Sequence, residues 1–395
     1  MILSDVCEFI VDCPHSTAPD EGKGYPLIRT PNVGKGRLDL NGVHRVSESV
    51  YKQRIQRGSP QANDLIFARE APAGNVALVQ ENQTVCLGQR TVLIRPNAQK
   101  VNPRYLVYYL LSPKPQYELL GTANGATVAH VNLPAIRNLK IELPEKSVQD
   151  KIGTILVTYD DLIENNQKQI KLLEEAAQRL YKEWFVDLNF PGHENTKIVD
   201  GVPEGWSIYP FSSKVDVMSG GTPKTSIPDY YNGKIPFYTP KDNDGAFFAY
   251  KTQMNITEGG LKNCNSRLYP PKTVIITARG TVGKTTILAV PMAMNQSCYA
   301  LKMKENDAPY YLFFALNNEI KALQTMANGG VFNTIIGKTF DSINIQIPKD
   351  PLIYGFEETV RPFMEQIKNK LQANSKLVEA RDRLLPKLMS GEVEV

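Results

Sequence analysis

The sequence predicts an α+β protein with two similar mixed α/β, strand-rich heads in tandem, each followed by a long helix. The two helices are expected to pair as an antiparallel coiled coil with pseudo-two-fold symmetry. Three observations predict this: the sequence contains an internal duplication, each copy contains short β-branched runs bounded by turn residues, and each copy ends in a heptad pattern. The predicted domains are a first head (1–144), a first helix (145–190), a linker (191–205), a second head (206–348) and a second helix (349–395).

The duplication is visible as landmarks of the first half that recur in order in the second half. Pro26 corresponds to Pro236 and Pro144 to Pro348, so the offset falls from 210 to 204 residues along the chain. Between them, Ala68-Arg69 is matched with Ala278-Arg279. A gradual drift indicates a few short deletions within one ordered series. Two copies are too few for a solenoid, which needs at least three stacked units.

Each head contains the same predicted elements. Runs rich in Val, Ile and Thr predict strands, and an aromatic segment in each copy predicts a helix. A closing strand in each copy is stopped by a proline. The predicted strands include 76–79, 91–94 and 273–276, the aromatic helices include 105–109 and 310–314, and the closing strands are 139–143 and 343–347.

After each closing strand the hydrophobic period changes to alternating steps of three and four residues, which is the seam of a coiled coil. Asp350-Pro351 is a helix start signal, and Pro362 is expected to kink the second helix. The alternative, that each helix only covers its own head, is disfavoured because the seams are too long for one head. The seam residues are Ile152, Leu156, Tyr159, Ile163, Ile170, Leu173, Leu180 and Trp184 in the first helix, and Phe363, Ile367, Leu377, Leu384 and Leu388 in the second.

Composition excludes several classes of protein. The chain has 395 residues, of which 42% are apolar and 22% charged, and no apolar run approaches the roughly 20 residues of a membrane span. The start lacks the basic region of a secretory signal. Five cysteines without a CxxC pair predict reduced thiols in a cytoplasmic protein, rather than disulfides or a zinc site.

Positive charge is concentrated in the non-helical part of each copy. Residues 22–57 and residues 241–304 each carry six more Lys and Arg than Asp and Glu. A basic region in each head suits a protein that binds a phosphate backbone. The charge alone leaves open the alternative of a solvated surface that is balanced by acidic residues elsewhere.

Motifs that invite an enzymatic interpretation fail on inspection. The segment 278–285 resembles a phosphate-binding loop, but Ala278 stands where its first glycine belongs. The segment 102–105 departs at its third position from the Asn-Pro-Pro-Tyr tetrapeptide of amino-methyltransferases. The four histidines show no metal-ligand spacing. We therefore predict no catalytic residue, no metal site and no cofactor in this chain.

Several segments, in a fixed and duplicated order, carry a family resemblance over essentially the whole chain. The second copy opens on Pro203-Glu204-Gly205-Trp206 and has the central turn 277–283, and the helix ends read 180–187 and 384–391. This arrangement resembles the specificity (S) subunit of Type I restriction-modification systems. The first copy departs from the pattern, since it lacks the Gly-Trp opening and its central turn carries Glu70.

The resemblance implies a non-catalytic subunit with two target recognition domains. Each domain would read one half of a bipartite, asymmetric sequence in double-stranded DNA. The helices would set the spacer and dock modification (methyltransferase) subunits, two in number, and restriction (endonuclease and translocase) subunits would then join. S-adenosylmethionine, ATP and Mg would be bound by these partners. The alternatives are a structural coiled-coil adaptor without DNA readout, and a fragment of a self-contained restriction-methylation enzyme.

Within this interpretation, basic and amide side chains on turns are candidates for DNA contact, because Arg pairs well with guanine and Gln or Asn with adenine. For any one of them, turn or capping chemistry remains an alternative. Glu70 either reads a base edge or faces away from DNA. The candidates are Arg29, Thr30, Arg69, Gln89, Arg90 and Asn124 in the first head, and Thr239, Lys241, Arg279, Lys284, Gln296 and Asn328 in the second.

Overall fold

The computed structural model describes residues 1–121, 130–326 and 335–395. By internal contacts it divides into two units, one formed by Met1–Asn165 with Asn374–Val395 and the other by Asn166–Ala373. Each unit therefore holds one head together with segments of both long helices.

In the first unit, short β-branched runs bounded by turn residues form the strands, and these strands form two sheets. The larger sheet has the order β1-β8-β5-β6-β3 and the smaller one β4-β2-β7. The pairs β3–β6 and β2–β7 are parallel, and the other pairs are antiparallel. The strands are β1 Cys7–Asp12, β2 Tyr25–Ile28, β3 Gly36–Arg37, β4 Arg45–Val46, β5 Leu65–Ala68, β6 Val76–Leu78, β7 Cys86–Leu87 and β8 Thr91–Pro96.

Short helices pack against the sheets of this unit, and the aromatic one lies on the larger sheet. The side chain of Asn102 accepts hydrogen bonds from the backbone N–H groups of Arg104 and Tyr105, which caps the predicted aromatic helix. Tyr105 and Tyr108 are buried in the core that this helix shares with the sheet. The helices are α1 Glu48–Arg54, α2 Pro103–Leu111, α3 Pro113–Gly121 and α4 Leu133–Arg137.

The second unit repeats this topology. Its larger sheet has the order β12-β19-β16-β17-β14 and its smaller one β15-β13-β18, which reproduces the first unit strand for strand. The strands after the first head are β9 Ile198–Val199, β10 Val202–Pro203, β11 Ser207–Pro210, β12 Val215–Ser219, β13 Tyr231–Tyr238, β14 Phe248–Ala249, β15 Met254–Ile256, β16 Val274–Thr277, β17 Thr285–Leu288, β18 Ala293–Met294, β19 Cys298–Met303 and β20 Asn344–Ile347.

The long helices follow the heads. Helix α5 spans Lys146–Tyr181 and continues as a π-helical turn over Lys182–Val186. The others are α6 Phe211–Lys214, α7 Glu258–Lys262, α8 Pro309–Met326 and α9 Asp350–Ser390. The α+β content and the tandem heads confirm the prediction from the sequence.

Helix α9 is continuous through Pro362, so the proline does not end the helix. Pro362 is exposed, so the carbonyl that loses its helical partner can bond to water. Its neighbours Val360 and Met364 are fully buried, and their packing offsets the lost hydrogen bond.

Every predicted seam residue is buried or half-buried in its unit. In the first unit Arg381 Nη1 lies 2.5 Å from Asp160 Oδ1, and Asn374 Nδ2 donates to the Ile163 carbonyl at 3.3 Å. In the second unit Phe356 packs against Tyr181 with ring centroids 5.9 Å apart. The two long helices therefore contribute to the core of each unit.

Strand register corrects one match between the two copies. Ala68 pairs with Thr91 in the first head, and Thr277 pairs with Cys298 in the second. The turn that follows is closed by the same bond in both heads, from Gly74 N to Ala68 O and from Gly283 N to Thr277 O.

The Ala-Arg dipeptides are consequently one residue out of structural register. Arg69 corresponds to Ala278, and Glu70 corresponds to Arg279. The dipeptide match between the copies is wrong at this turn. The match was based on the identity of two residues, whereas the structural register of the turn depends on the pairing of its strand with other strands.

Candidate nucleic-acid interface

In the first head, two turns with candidate residues lie side by side. The turn after β5 begins at Arg69, and the turn before β8 ends at Arg90. The Arg69 N–H donates to the Arg90 carbonyl at 2.9 Å, so the two turns are bonded to each other. Gly88 belongs to the second turn, and a Cβ there would lie 2.8 Å from Arg29 Cγ, which is too close. The close approach of the backbone therefore requires glycine at this position.

Arg69 is bound to its own head rather than presented to solvent. Its side chain is 12% exposed, and Nη1 lies 2.6 Å from Asp12 Oδ2. Nε donates to the Val131 carbonyl at 2.9 Å, and Nη2 lies 2.9 Å from His130 Nε2. All of its nitrogens are engaged, so in this arrangement Arg69 positions neighbouring segments.

Glu70 faces Arg90 and His130. Its Oε2 lies 2.8 Å from Arg90 Nη1, and its Oε1 lies 2.8 Å from His130 Nδ1. Both oxygens are therefore engaged with groups of this head. Arg90 is 63% exposed, so its guanidinium is the outermost charged group of the contact series.

The other candidate DNA-contacting residues of the first head are less available for contact with DNA. Thr30 is 9% exposed. Arg29 is half-buried, and its Nε is buried without a hydrogen-bond partner in the described part of the chain. Gln89 Nε2 donates to the His15 carbonyl at 2.9 Å. The fold thus brings Gln89 and Arg90 together at the surface and places Thr30 mostly within the interior.

In the second head the turn between β16 and β17 has the opposite character. Arg279 and Lys284 are both exposed. Within residues 1–121, 130–326 and 335–395, neither side chain has an ion pair or hydrogen bond. Lys284 corresponds to Asn75 of the first head, whose amide donates to the Val33 carbonyl at 2.9 Å. This turn therefore presents two cations to solvent.

The remaining candidates of the second head differ in availability. Lys241 is exposed. The Thr239 hydroxyl donates to Asp242 Oδ2 at 2.7 Å, a hydrogen bond within the same turn. Gln296 is exposed and accepts a hydrogen bond from the Thr222 hydroxyl. The candidates Asn124 and Asn328 lie outside the described residues.

A cleft of about 820 Å³ lies beside the cationic turn, within the second unit. Lys284 lines it from the turn, and Arg179 lines it from α5. Aromatic and amide side chains form its floor, among them Phe247 and Asn317. The cleft is thus lined by cations from both the turn and the helix, with Glu175 of the helix beside them.

Sequence reasoning missed His130 and Asp12. Both act through contacts with Arg69, which lies about sixty residues from each, so no local spacing reveals them. The spacing of the histidines along the sequence indicates whether a metal site is present and does not reveal hydrogen-bond partners. Within the described ranges no group of three or more metal-ligating side chains is found.

The five cysteines are free thiols. Burial raises the pKa of Cys7, Cys86 and Cys298 to about 12, so these thiols stay protonated near neutral pH. Among the described helices, none has the length and apolar character needed to cross a bilayer.

Comparison with known proteins agrees with the duplicated fold. The family model for the Type I restriction modification DNA specificity domain matches residues 1–175 and again residues 203–372. The MjaIX specificity subunit of Methanocaldococcus jannaschii, a Type I restriction enzyme subunit, is 28% identical, over 90% of this chain and 83% of its own length. The corresponding HindI subunit of Haemophilus influenzae is 23% identical, over 87% and 88%.

A solved structure shares the fold. The Type I restriction-modification S subunit from M. genitalium aligns with a TM-score of 0.60 at 16% identity, over 98% of this chain and 95% of that one. Since the family model covers most of the chain in two segments, this protein belongs to the family of Type I restriction-modification DNA specificity proteins.

Proposed function

We propose that this chain is the specificity subunit of a Type I restriction-modification complex. Each head reads one half of a bipartite, asymmetric site in double-stranded DNA. The specificity subunits named above are subunits of Type I restriction enzymes, which supports the proposal.

One observation carries the asymmetry of the site: two heads of equal topology present unlike chemistry at equivalent turn positions. Glu70 corresponds to Arg279, and Asn75 corresponds to Lys284. At these positions the second head exposes two cations, whereas the matched side chains of the first head are bonded within that head, so the two turns offer different groups to base edges and phosphates. Two half-sites of different sequence follow from two such turns.

The long helices pair as an antiparallel coiled coil in this proposal and set the spacer between the half-sites. The first unit supports it, since Asp160 contacts Arg381 and the later residue Ile163 contacts the earlier residue Asn374. The seam from Ile152 to Trp184 is about 50 Å long at 1.5 Å per residue. That length corresponds to at most about 15 bp of B-DNA.

The helices also dock two modification subunits, and restriction subunits join that complex. The chain itself performs no chemistry. S-adenosylmethionine, ATP and Mg are held by these partners, so methyl transfer, translocation and cleavage take place outside this chain. Its contribution is to place the partners on a chosen sequence.

Co-expression of the chain with the modification subunit encoded beside it tests the proposal. Genome-wide mapping of methylated adenine should give one motif of two unlike half-sites around a fixed spacer. Cells that carry the modification subunit alone are the control and should lack that motif. A continuous motif, or the same motif in the control, would overturn the proposal.

The adaptor alternative is tested by the salt dependence of DNA binding by the complex with its modification subunit. A specificity subunit that contacts phosphates should give a steep fall of log affinity with log salt, because counterions are released. A slope near zero would favour an adaptor without DNA readout.

A further inference from the structure

Arg90 stands at the end of a series of polar contacts that crosses the first head. The series begins at Asp12, passes through Arg69, His130 and Glu70, and reaches Arg90, with successive contacts of 2.6, 2.9, 2.8 and 2.8 Å. Asp12 and Arg69 are mostly buried, at 14% and 12% exposed, whereas Arg90 is 63% exposed. A solvated surface arginine does not need such a series behind it.

The series fixes the orientation of each group. Arg69 is always a donor, so His130 Nε2 must accept its hydrogen bond, and His130 Nδ1–H therefore donates to Glu70. Glu70 is held by this bond on one oxygen and faces Arg90 Nη1 with the other. The Val131 N–H also donates to the Arg69 carbonyl at 2.9 Å, which fixes the segment that carries His130.

One end of the Arg90 guanidinium is thereby held, and the other is available. With Nη1 on Glu70, the Nε and Nη2 groups remain and have no partner among the described residues. Two parallel N–H donors match the O6 and N7 acceptors of guanine in the major groove. The backbone of Arg90 has a φ of +66°, a left-handed conformation held by the bond from Arg69 N to its carbonyl.

We propose that Arg90 reads a guanine of the first half-site, and that Glu70 and His130 are its positioning residues. This inference rests on the proposed function of the chain. The carboxylate of Glu70 partly neutralises the arginine, which disfavours a simple phosphate contact and favours a directed base contact. Arg69 acts one step further back by orienting His130.

Among its described residues, the second head has no arginine at the position of Arg90. The position of Arg90 is taken by Ser297, since the Ala278 N–H donates to the Ser297 carbonyl as the Arg69 N–H does to that of Arg90. Arg279 of the second head lies instead on the neighbouring turn, at the position matched to Glu70. The Arg90 series therefore belongs to one half-site only, and its loss should leave the other half-site unchanged.

The test is methylome mapping with the chain and its modification subunit, using R90A, E70A, E70Q and the double variant E70A/R90A. R90A should weaken the preference at one G·C pair of the first half-site by about 10- to 100-fold. E70A should weaken the same position by a smaller factor, and E70Q should restore most of it through its amide oxygen. The double variant should match R90A, because Glu70 acts through Arg90.

E48A is the matched control, since Glu48 lies in the same head and pairs at the surface with Lys52, its one ion-pair partner in the described part of the chain. It should leave the motif unchanged. If E70A does not fold, as shown by loss of its cooperative melting transition, R90A and E70Q decide the question. An unchanged motif in R90A would overturn the inference, as would an E70A variant that lowers methylation at all sites without changing the base preference.

The two proposals fail differently. If the unmodified chain directs no bipartite motif, the proposed function itself is wrong. If that motif is present and R90A leaves every position intact, only the role of Arg90 is wrong.

Discussion

The Glu357 carboxylate of α9 accepts a hydrogen bond from the Tyr311 backbone N–H of α8 at 2.7 Å. In the first head Asn102 caps the equivalent helix from its own loop, whereas Ala308 stands at that place in the second. The residue matched to Glu357 is Gly153, where a Cβ would lie 2.9 Å from Tyr105 N. The free N–H groups at the start of these two equivalent helices are therefore bonded in different ways, by the preceding loop in the first head and by α9 in the second.

The burial of Glu357 predicts a pH dependence of stability. Burial raises the pKa of Glu357 from 4.5 to about 7. Because the folded-state pKa is raised, the folded chain holds this proton more tightly. The stabilisation is complete below about pH 4.5 and is lost as pH rises through about 7.

The variant E357Q keeps an acceptor for Tyr311 without a charge. It should be more stable than the parent at pH 8, by about 1–3 kcal/mol, and should show a flatter stability profile between pH 5 and 8. Urea unfolding across that range measures it. E174Q is the companion variant, since burial also raises the pKa of Glu174 to about 7. A profile in E357Q that is parallel to that of the parent would contradict the assignment.

A second prediction concerns the buried ion pair of the first unit. Asp160 is 3% exposed, lies 2.5 Å from Arg381, and accepts a hydrogen bond from the Tyr108 hydroxyl at 2.6 Å. R381A leaves the Asp160 charge buried beside the more distant Arg37, whose Nε lies 3.9 Å from Asp160 Oδ2, so it should cost up to about 3–5 kcal/mol of unfolding free energy. Chemical denaturation of the chain measures this loss.

The control comes from the second copy, where Met364 and Ala177 stand at the matched positions and are fully buried. The double variant D160M/R381A imitates that arrangement and should recover part of the loss, since both charges are gone. If the double variant is less stable than R381A, the ion pair is not the cause of the loss.

The cationic turn of the second head predicts two separable effects. K284A should reduce the slope of log affinity against log salt by about one and leave the motif intact, as expected of a phosphate contact. R279A should change the second half-site only. K214A is a control in the same unit, because Lys214 already pairs with Glu305 at 2.9 Å. Equal changes in K284A and K214A would contradict a specific contact.

The helices predict the spacing of the half-sites. Insertion of one heptad into both α5 and α9, at the boundaries 165/166 and 373/374 between the two units, preserves the seam pattern. It adds about 10 Å, so the spacer should lengthen by about 3 bp while both half-sites stay the same. Methylome sequencing reads the new spacer. A change within the half-sites would count against helices that act as a ruler.

The long helices and the internal repeat could be predicted from the sequence. Hydrophobic periodicity is a local property, and a repeat is recorded in the order in which the same residues recur. The heptad steps predicted α5 and α9, and the drift of offsets predicted the common topology of the two heads. Helix α9 continues through Pro362, where burial of the neighbouring Val360 and Met364 outweighs the loss of one backbone hydrogen bond.

The candidate interface was predicted at the level of turns but not of side chains. Arg69 and Arg279 looked equivalent in sequence, yet one is engaged with Asp12 and the other is exposed. The sequence by itself determined the family, the duplicated architecture and the basic character of the heads. Only the tertiary structure decided that Glu70 corresponds to Arg279 and that Arg90 is the outermost group of a supported series. Register and side-chain partners depend on contacts between segments far apart in the chain, and no local pattern records them.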